Sequence, residues 1–232
     1  LPAPVSHIPE PGEMGRATAY FTMAGLIMGV ILAMADSVLR LFLPLPAASA
    51  LVLVLQTALT GALHLDGLAD SCDGLFSGPD SKRRMEIMRD SRVGSYGVVG
   101  VVSVLLMKYG ALVSLEPGAR WTGFIVASVL GRWAMSYAIT VFPYAREQGL
   151  GTAFKEGAGP RALIFSTVTA LVVAAALYRW QGIALLGIVL VAAWLAAKWI
   201  LTRIPGLTGD TYGAINEVVE ALALVALTAG QR

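Results

Sequence analysis

Long apolar stretches constrain this chain more than any other feature of its sequence. A helix needs about 20 predominantly apolar residues to cross about 30 Å of hydrocarbon. Seven such stretches occur, and they lie at about 17–35, 46–63, 95–115, 121–142, 162–179, 182–202 and 212–229. None of them alternates as a strand does. The sequence therefore predicts an all-α, polytopic transmembrane helical bundle of about seven spans, within a range of six to eight.

Composition excludes the other classes of protein. The 232 residues are 56% hydrophobic and 14% charged, whereas soluble domains average about 45–50% apolar and about 25% charged residues. A net charge of +2 provides no basic stripe, so we expect no nucleic-acid partner. A single cysteine, Cys72, permits neither an internal disulfide nor a thiolate zinc site. We expect one integral membrane domain over residues 1–232, which opens with an irregular, proline-rich segment at 1–16.

The basic residues predict an orientation in the bilayer. Ten Lys and Arg residues fall in the loops at 1–16, 64–94, 143–161 and 203–211. Five fall on the opposite side, in the loops at 36–45, 108–120, 179–181 and 230–232. Because positive loops favour the cytoplasm, we expect the first set of loops to be cytoplasmic.

An acidic stripe opens the cytoplasmic loop at 64–94, which we interpret as an active-site loop. Asp66, Asp70 and Asp73 stand at i, i+4 and i+7, so a helix would present them on one face. Three carboxylates on one stripe repel one another unless a cation lies among them, and Mg²⁺ and Ca²⁺ both prefer such oxygen ligands. The alternative interpretation is a solvated acidic helix face. His64, beside the stripe, is a candidate ligand, base or polar cap.

Basic side chains follow the stripe in the same loop. Arg89, Asp90 and Arg92 adjoin the glycine-spaced entry into the next span. Arginines close to a carboxylate cluster suit a phosphate-bearing ligand bridged by a metal ion. Two other basic residues, Lys82 and Arg83, are interpreted as topology signals only.

A second group of acids opens the last span. Asp210, Glu217 and Glu220 are spaced so that one helical face presents all three. Acids inside a membrane span indicate a functional site by default. Structural pairing with Arg132 or Lys198 is the alternative. Even numbers of spans separate Asp210 from the aspartate stripe, so these residues are expected at one face of the membrane.

Three segments together resemble the cobalamin synthase family, also called adenosylcobinamide-GDP ribazoletransferase. They read LHLDGLAD at 63–70 with Asp73 and Gly74 following, EIMRDSRVG at 86–94, and TGDT at 208–211 with Gly213, Ala214 and Glu217 following. The resemblance extends from about residue 15 to the end of the chain. The aromatic-rich opening of the family has no counterpart here, and we expect part of the N-terminus to be missing.

The resemblance implies a Mg²⁺-dependent transferase of vitamin B12 assembly in a bacterial or archaeal cell (inner) membrane. It would join adenosylcobinamide-GDP to α-ribazole, or to α-ribazole 5′-phosphate, and release GMP at the cytoplasmic face. We interpret the site as catalytic and metal-binding carboxylates followed by substrate-binding groups. The catalytic residues would be His64, Asp66, Asp70 and Asp73, the metal ligands Asp66, Asp70, Asp73 and Asp90, and the substrate-binding residues Arg89, Arg92, Asp210 and Glu217.

Other functions stay open at this point. The run from Asp70 to Gly74 also resembles the opening of the CDP-alcohol phosphotransferases, although the rest of that motif is absent. A carboxylate-lined transporter would instead place Asp210, Glu217, Glu220 and Arg132 along a translocation path. A membrane scaffold for other cobalamin-assembly enzymes is a third alternative. Small residues in the spans would also permit a homo-oligomer.

Overall fold

The computed structural model describes residues 12–146 and 150–230. Within those ranges the regular structure is helical, apart from one isolated bridge between Tyr144 and Leu207. The helices are α1 (Glu13–Ala17), joined by a 3-10 turn (Thr18–Tyr20) to α2 (Phe21–Leu39), α3 (Leu45–Leu59), α4 (Leu63–Ser77), α5 (Ser81–Ile87), α6 (Ser95–Ser114), α7 (Arg120–Val141), α8 (Leu150–Gly157), α9 (Pro160–Leu201) and α10 (Gly209–Ala229). The predicted all-α class is confirmed.

The expected irregular segment at 1–16 is only partly addressed by the structure. Residues 1–11 lie outside the described part of the chain. For residues 13–16 the expectation is wrong, because α1 begins directly after Gly12, whose φ of 81° is left-handed. Gly15 of α1 lies against the backbone of Gly157, where no Cβ would fit. This packing against the end of α8 supports a helix too short to be stable alone.

Helix α9 is two antiparallel helices rather than one rod. Its 42 residues would measure about 63 Å at 1.5 Å per residue, which is twice the hydrocarbon thickness. Arg179 breaks it, with φ 55° and ψ −133°. Gly182 then lies against the backbone of Ala174, eight residues earlier, which a continuous helix would hold about 12 Å away. The break coincides with the gap between the predicted spans 162–179 and 182–202.

The number of spans depends on how two irregular helices are counted. Five described helices are long and apolar enough to cross a membrane, and the bent pair of α3 and α4 makes a sixth. Dividing α9 at Arg179 gives seven, which is the predicted number. A polytopic membrane fold is therefore supported by length and hydropathy together.

Buried Arg120, at the start of α7, gathers four helices at what we call the Arg120 end of the bundle. Its guanidinium forms an ion pair with Asp36 of α2 and donates a hydrogen bond to the Leu112 carbonyl of α6. It also donates to the Ser49 hydroxyl of α3 at 3.1 Å. Both charges of the ion pair are buried. Removing Asp36 would leave Arg120 as an unpaired buried charge, which costs about 3–5 kcal/mol.

The opposite end of the bundle, which we call the Asp210 end, holds the starts of α6 and α10. Here Arg146 pairs with Asp210, and Asp73 of α4 accepts hydrogen bonds at the start of α6. Because α3 starts beside Arg120 and α4 reaches the start of α6, the bent pair crosses from one end to the other. The pair is therefore a broken span.

The interpretation of 64–94 as a loop is wrong for most of its length. The segment is largely helical, and α4 packs against α6 and α10 inside the bundle. Gly61 and Ala62 both have left-handed φ, near 60°, and turn the chain by 88° between α3 and α4. The acidic residues of α4 therefore continue a membrane span instead of leaving it.

Candidate active site

Three aspartates project from α4 with decreasing exposure along the helix. Asp66 is exposed, Asp70 is half-buried and Asp73 is buried. Glycine between them allows α4 to approach its neighbour, because a Cβ on Gly67 would lie 2.7 Å from the Asp210 carbonyl oxygen. The sequence therefore brings the stripe into direct contact with the start of α10.

The Asp73 carboxylate joins α4 to the start of α6. One oxygen accepts the Gly94 amide at 2.7 Å and the other accepts the Gly97 amide at 2.8 Å. Side chains at Gly94 and Gly97 would collide with this carboxylate. Carboxylates at a helix N-terminus satisfy otherwise unpaired amides and favour the helix dipole. Asp73 is thus fully engaged in holding two helices together.

The Asp210 carboxylate is positioned by its own helix and by Arg146. Thr208 and Thr211 form a reciprocal capping box at the start of α10. Arg146 Nη2 donates to Asp210 Oδ2 at 2.6 Å. The segment carrying Arg146 is held beside the start of α10 by two hydrogen bonds of the isolated bridge, from the Ala145 amide to the Leu207 carbonyl and from the Leu207 amide to the Pro143 carbonyl. Residues far apart in the chain are therefore fixed around one carboxylate.

The carboxylates of this end form one electrostatic cluster. The Asp70 carboxylate interacts with Asp66, Asp73 and Asp210 and, among the described cations, with Arg146. One guanidinium does not neutralise four carboxylates. The excess negative charge favours binding of a cation at this end of the bundle.

These carboxylates could hold Mg²⁺ only if substrate phosphates and water supplied the remaining ligands. Among residues 12–146 and 150–230, no three His, Cys, Asp or Glu side chains are arranged as a ready metal cage. Both oxygens of Asp73 are already hydrogen-bonded. Mg²⁺ in proteins, however, is usually held by one or two carboxylates, substrate phosphates and water. The half-buried Asp70 and Asp210 suit that mode of binding.

A cavity of about 280 Å³ opens beside these carboxylates. Asp66, Asp210 and Arg146 line it, and so do His64 and Tyr212. The His64 Nδ1 and Tyr212 Oη atoms of these two residues have almost no accessible surface and make no hydrogen bond with the described residues. An unsatisfied buried polar atom costs about 1–3 kcal/mol, so these two atoms lower the stability of the packing around the cavity.

Comparisons with known proteins agree with these features. The family model described as cobalamin-5-phosphate synthase matches residues 1–228. An adenosylcobinamide-GDP ribazoletransferase of Desulforamulus reducens is 41% identical over 221 residues, which cover 95% of this chain and 88% of that protein. One of Geotalea daltonii is 35% identical, over 99% of this chain and 92% of the relative. The chain belongs to the cobalamin-5-phosphate synthase family. No solved structure matches it.

Family membership favours the transferase over the transporter, scaffold and CDP-alcohol alternatives.

The acids inside the last span are paired with basic side chains. Lys108 Nζ donates to Glu217 at 2.7 Å and to Glu220 at 2.6 Å. Arg132 forms a further ion pair with Glu220 at 3.2 Å, and Gln56 donates to the same carboxylate at 2.6 Å. Glu217, interpreted as substrate-binding, therefore lies in a paired interior network and does not line the cavity.

The assignment of Lys108 to a loop at 108–120 is wrong. Helix α6 continues to Ser114, and Lys108 is 1% exposed. Arg120, counted in the same loop, is also buried. Lys108 and Arg120 therefore no longer count in the second set of loops. The excess of Lys and Arg in the first set of loops becomes larger.

The charged groups of Asp90 and Arg92 bind each other, although their segment leads into Gly94, whose amide Asp73 accepts. Arg92 forms a bidentate pair with Asp90, at 2.7 and 3.0 Å, on the surface between α5 and α6. These hydrogen bonds lower the pKa of Asp90 to about 2. Arg89 is exposed nearby. Their roles as metal ligand and substrate-binding residues stay predictions, which would require this segment to contact the substrate.

Two residues around the site, Tyr144 and Tyr212, had no assigned role in the sequence. Tyr144 stacks on Tyr212 with ring centroids 6.1 Å apart, and both line the cavity beside Arg146. The available signal was weak, because polar residues in a short interhelical segment are common. Lys155 Nζ donates to three carbonyls at the end of α7, so this ammonium group is already held by the backbone.

Proposed function

We propose that this chain joins adenosylcobinamide-GDP to α-ribazole, or to its 5′-phosphate, with release of GMP. The supporting observation is the cluster of Asp66, Asp70, Asp210 and Arg146 beside one cavity, in a member of a family whose relatives carry that activity in their names. The products would be adenosylcobalamin or its 5′-phosphate. The reaction is therefore a substitution at phosphorus.

The bond changes define what the site must do. A ribose hydroxyl oxygen of ribazole forms a bond to the phosphorus on the cobinamide side of the pyrophosphate. The bond from that phosphorus to the bridging oxygen breaks, and GMP leaves with that oxygen. In such displacements the protein mainly positions the reactants and neutralises charge.

We assign the charged residues to separate tasks in this reaction. Asp70 and Asp210 would hold Mg²⁺, which would neutralise charge on the pyrophosphate. Arg146, oriented by Asp210, would contact a nonbridging phosphate oxygen. Asp66 is the exposed carboxylate lining the cavity and would accept the proton of the attacking hydroxyl. Asp73 would act as a positioning residue that keeps α4 against α6.

We also propose that the Asp210 end faces the cytoplasm. The exposed Lys82 and Arg83 of α5 lie in the segment between the broken span and α6, at this end of the bundle. Cytoplasmic loops carry an excess of Lys and Arg. The nucleotide substrate would then enter from the cytoplasm, while the bilayer surrounds the rest of the bundle.

The direct test is GMP release by the purified protein in detergent. With adenosylcobinamide-GDP, α-ribazole and Mg²⁺ we expect turnover, and with a chelator we expect none. Asp70→Asn should lower the rate at least about a hundredfold, because charge stabilisation by a metal ion contributes several kcal/mol. Lys82→Ala, at an exposed site on α5, is the control and should retain wild-type turnover. Full turnover by a folded Asp70→Asn protein would contradict the metal assignment.

A further inference from the structure

A second and larger cavity, which we call the α1–α9 groove, lies where α1 and the 3-10 turn meet the end of α8 and the start of α9. It measures about 880 Å³, which falls within the range of ligand-binding clefts, about 300–1,000 Å³. None of its lining residues lines the cavity beside Asp210. The groove is therefore a separate candidate site, and its ligand is not a reactant of the proposed transfer.

The α1–α9 groove lies at the level where two membrane-spanning segments begin. The candidate spans start at Glu13 and Pro160, and both of these residues line the groove. Because Asp36, close to the other end of the first span, pairs with Arg120, the groove is at the Asp210 end of the bundle. The ends of a span lie at the boundary between hydrocarbon and headgroups. The groove therefore lies in the headgroup region of the bilayer.

The charged side chains of the groove carry a net positive charge. Arg16 of α1 and Arg161 of α9 are exposed, and Glu13 is the one acid among the described lining residues. Guanidinium groups bind phosphate oxygens through charge-assisted hydrogen bonds. The net charge of the lining, +1, matches a phosphodiester, which carries one negative charge.

Apolar side chains continue from the groove onto the surface of the two spans. The rings of Tyr20 and Phe165, both in the lining, have centroids 5.6 Å apart and are 63% and 46% exposed. Buried Thr22 and Ser166 share a hydrogen bond between their hydroxyls, which holds the two walls together. On the helical faces of the two rings, further exposed apolar residues follow: Met23, Ile27 and Ile31 on α2, and Val168 and Val172 on α9. In a bilayer, such faces contact acyl chains.

We propose that the α1–α9 groove binds an anionic phospholipid whose headgroup is a phosphodiester, such as phosphatidylglycerol. The arginines Arg16 and Arg161 contact its phosphate, and its acyl chains pass Tyr20 and Phe165 onto the exposed faces of α2 and α9. A zwitterionic lipid adds an ammonium group, which a lining of net positive charge disfavours. A soluble phosphate has no acyl chains and gains nothing from the aromatic walls. The bound lipid joins α1 to α9 at the membrane surface.

Native mass spectrometry of the purified protein with added lipid tests the proposal. Wild-type protein should bind phosphatidylglycerol about fivefold more tightly than phosphatidylethanolamine. The double variant Arg16→Gln/Arg161→Gln should bind phosphatidylglycerol about thirtyfold more weakly, as for loss of two basic groups at an anionic lipid surface. The matched control, Lys82→Gln/Arg83→Gln, removes two exposed cations at the same end of the bundle but outside the groove, and should bind as wild type does.

Equal loss of binding in the two double variants would show general attraction to basic residues and would overturn the site. The absence of a lipid preference in wild-type protein would overturn it as well.

Thermal unfolding in detergent separates a lipid site from a phosphate site and checks that the variants are folded. A ligand that binds the native state raises the unfolding temperature. Phosphatidylglycerol should therefore raise it for wild type and the control, and not for Arg16→Gln/Arg161→Gln. Glycerophosphoglycerol, the same headgroup without acyl chains, should have no effect at the same concentration. Equal stabilisation by the lipid and by its soluble headgroup would contradict the proposed lipid.

Discussion

At the scale of single residues, the predicted role of Asp73 changes once its hydrogen-bond partners are known. The spacing of Asp66, Asp70 and Asp73 indicates three equivalent metal ligands. Their surroundings differ, because the two oxygens of Asp73 each accept a backbone amide of α6. The sequence alone predicts that Asp70→Asn and Asp73→Asn leave the fold intact and abolish activity. The structure separates the two substitutions.

Asp73→Asn should destabilise the protein as well as inactivate it. An asparagine side chain has one acceptor oxygen, so one of the Gly94 and Gly97 amides loses its partner, and the negative charge at the start of α6 is lost. We expect a stability loss of about 1–2 kcal/mol from the weakened cap. Thermal unfolding in detergent measures this loss. Asp70→Asn, which removes no capping bond, should unfold at the wild-type temperature.

At the scale of helices, glycines set how closely α2 and α7 pack. A Cβ on Gly25 would meet the Ser128 carbonyl oxygen at 2.5 Å, and one on Gly29 would meet the Ile125 Cα at the same distance. Small residues in spans permit close approach of helices, because van der Waals packing drives their association in lipid. Gly25 and Gly29 serve contacts within this chain, so they are no evidence for an oligomer.

Gly29→Leu should therefore weaken the bundle by forcing α2 away from α7. Overpacking of this kind costs about 1–3 kcal/mol, and we expect the midpoint of thermal unfolding to fall by several degrees. Gly110→Leu is the matched control, because a Cβ at Gly110 meets no atom within 4 Å. Equal stability of the two variants in detergent would contradict the close packing.

At the scale of the whole molecule, the bent pair of α3 and α4 and the division of α9 at Arg179 give seven helical passes between the Asp210 and Arg120 ends. The crossing by α3 and α4 is essential, because without it α6 would start on the wrong side. The fold therefore predicts that α5 and the turn between α6 and α7 are separated by the bilayer.

Single-cysteine labelling in intact cells tests this topology. In a Cys72→Ser chain, Ser81→Cys on α5 should react with an impermeant maleimide only after the cells are opened. Gly118→Cys, in the turn between α6 and α7, should react in intact cells. Labelling of both sites from the same side would show that the bent pair is re-entrant, and would contradict the seven-span fold.

The spans could be predicted from the sequence because each one is determined by its own residues. Each transmembrane helix satisfies its own backbone hydrogen bonds, so length and hydropathy suffice to identify it. The main errors concern charged residues whose partners lie far away in the sequence. Lys108 was counted with a loop, although it falls within the 95–115 stretch, because the partners that neutralise it, Glu217 and Glu220, lie more than 100 residues away. Local pattern carries no signal for such a pair.

The sequence by itself determined the membrane class, the spans and the acids of the Asp210 end, because the bilayer acts on each stretch separately and helical spacing places side chains on faces. Only the tertiary structure decided which charges are neutralised and which are left for a ligand. It paired Arg146 with Asp210 and buried Lys108 between Glu217 and Glu220. Those outcomes depend on which helices meet, and that is a property of packing between distant segments.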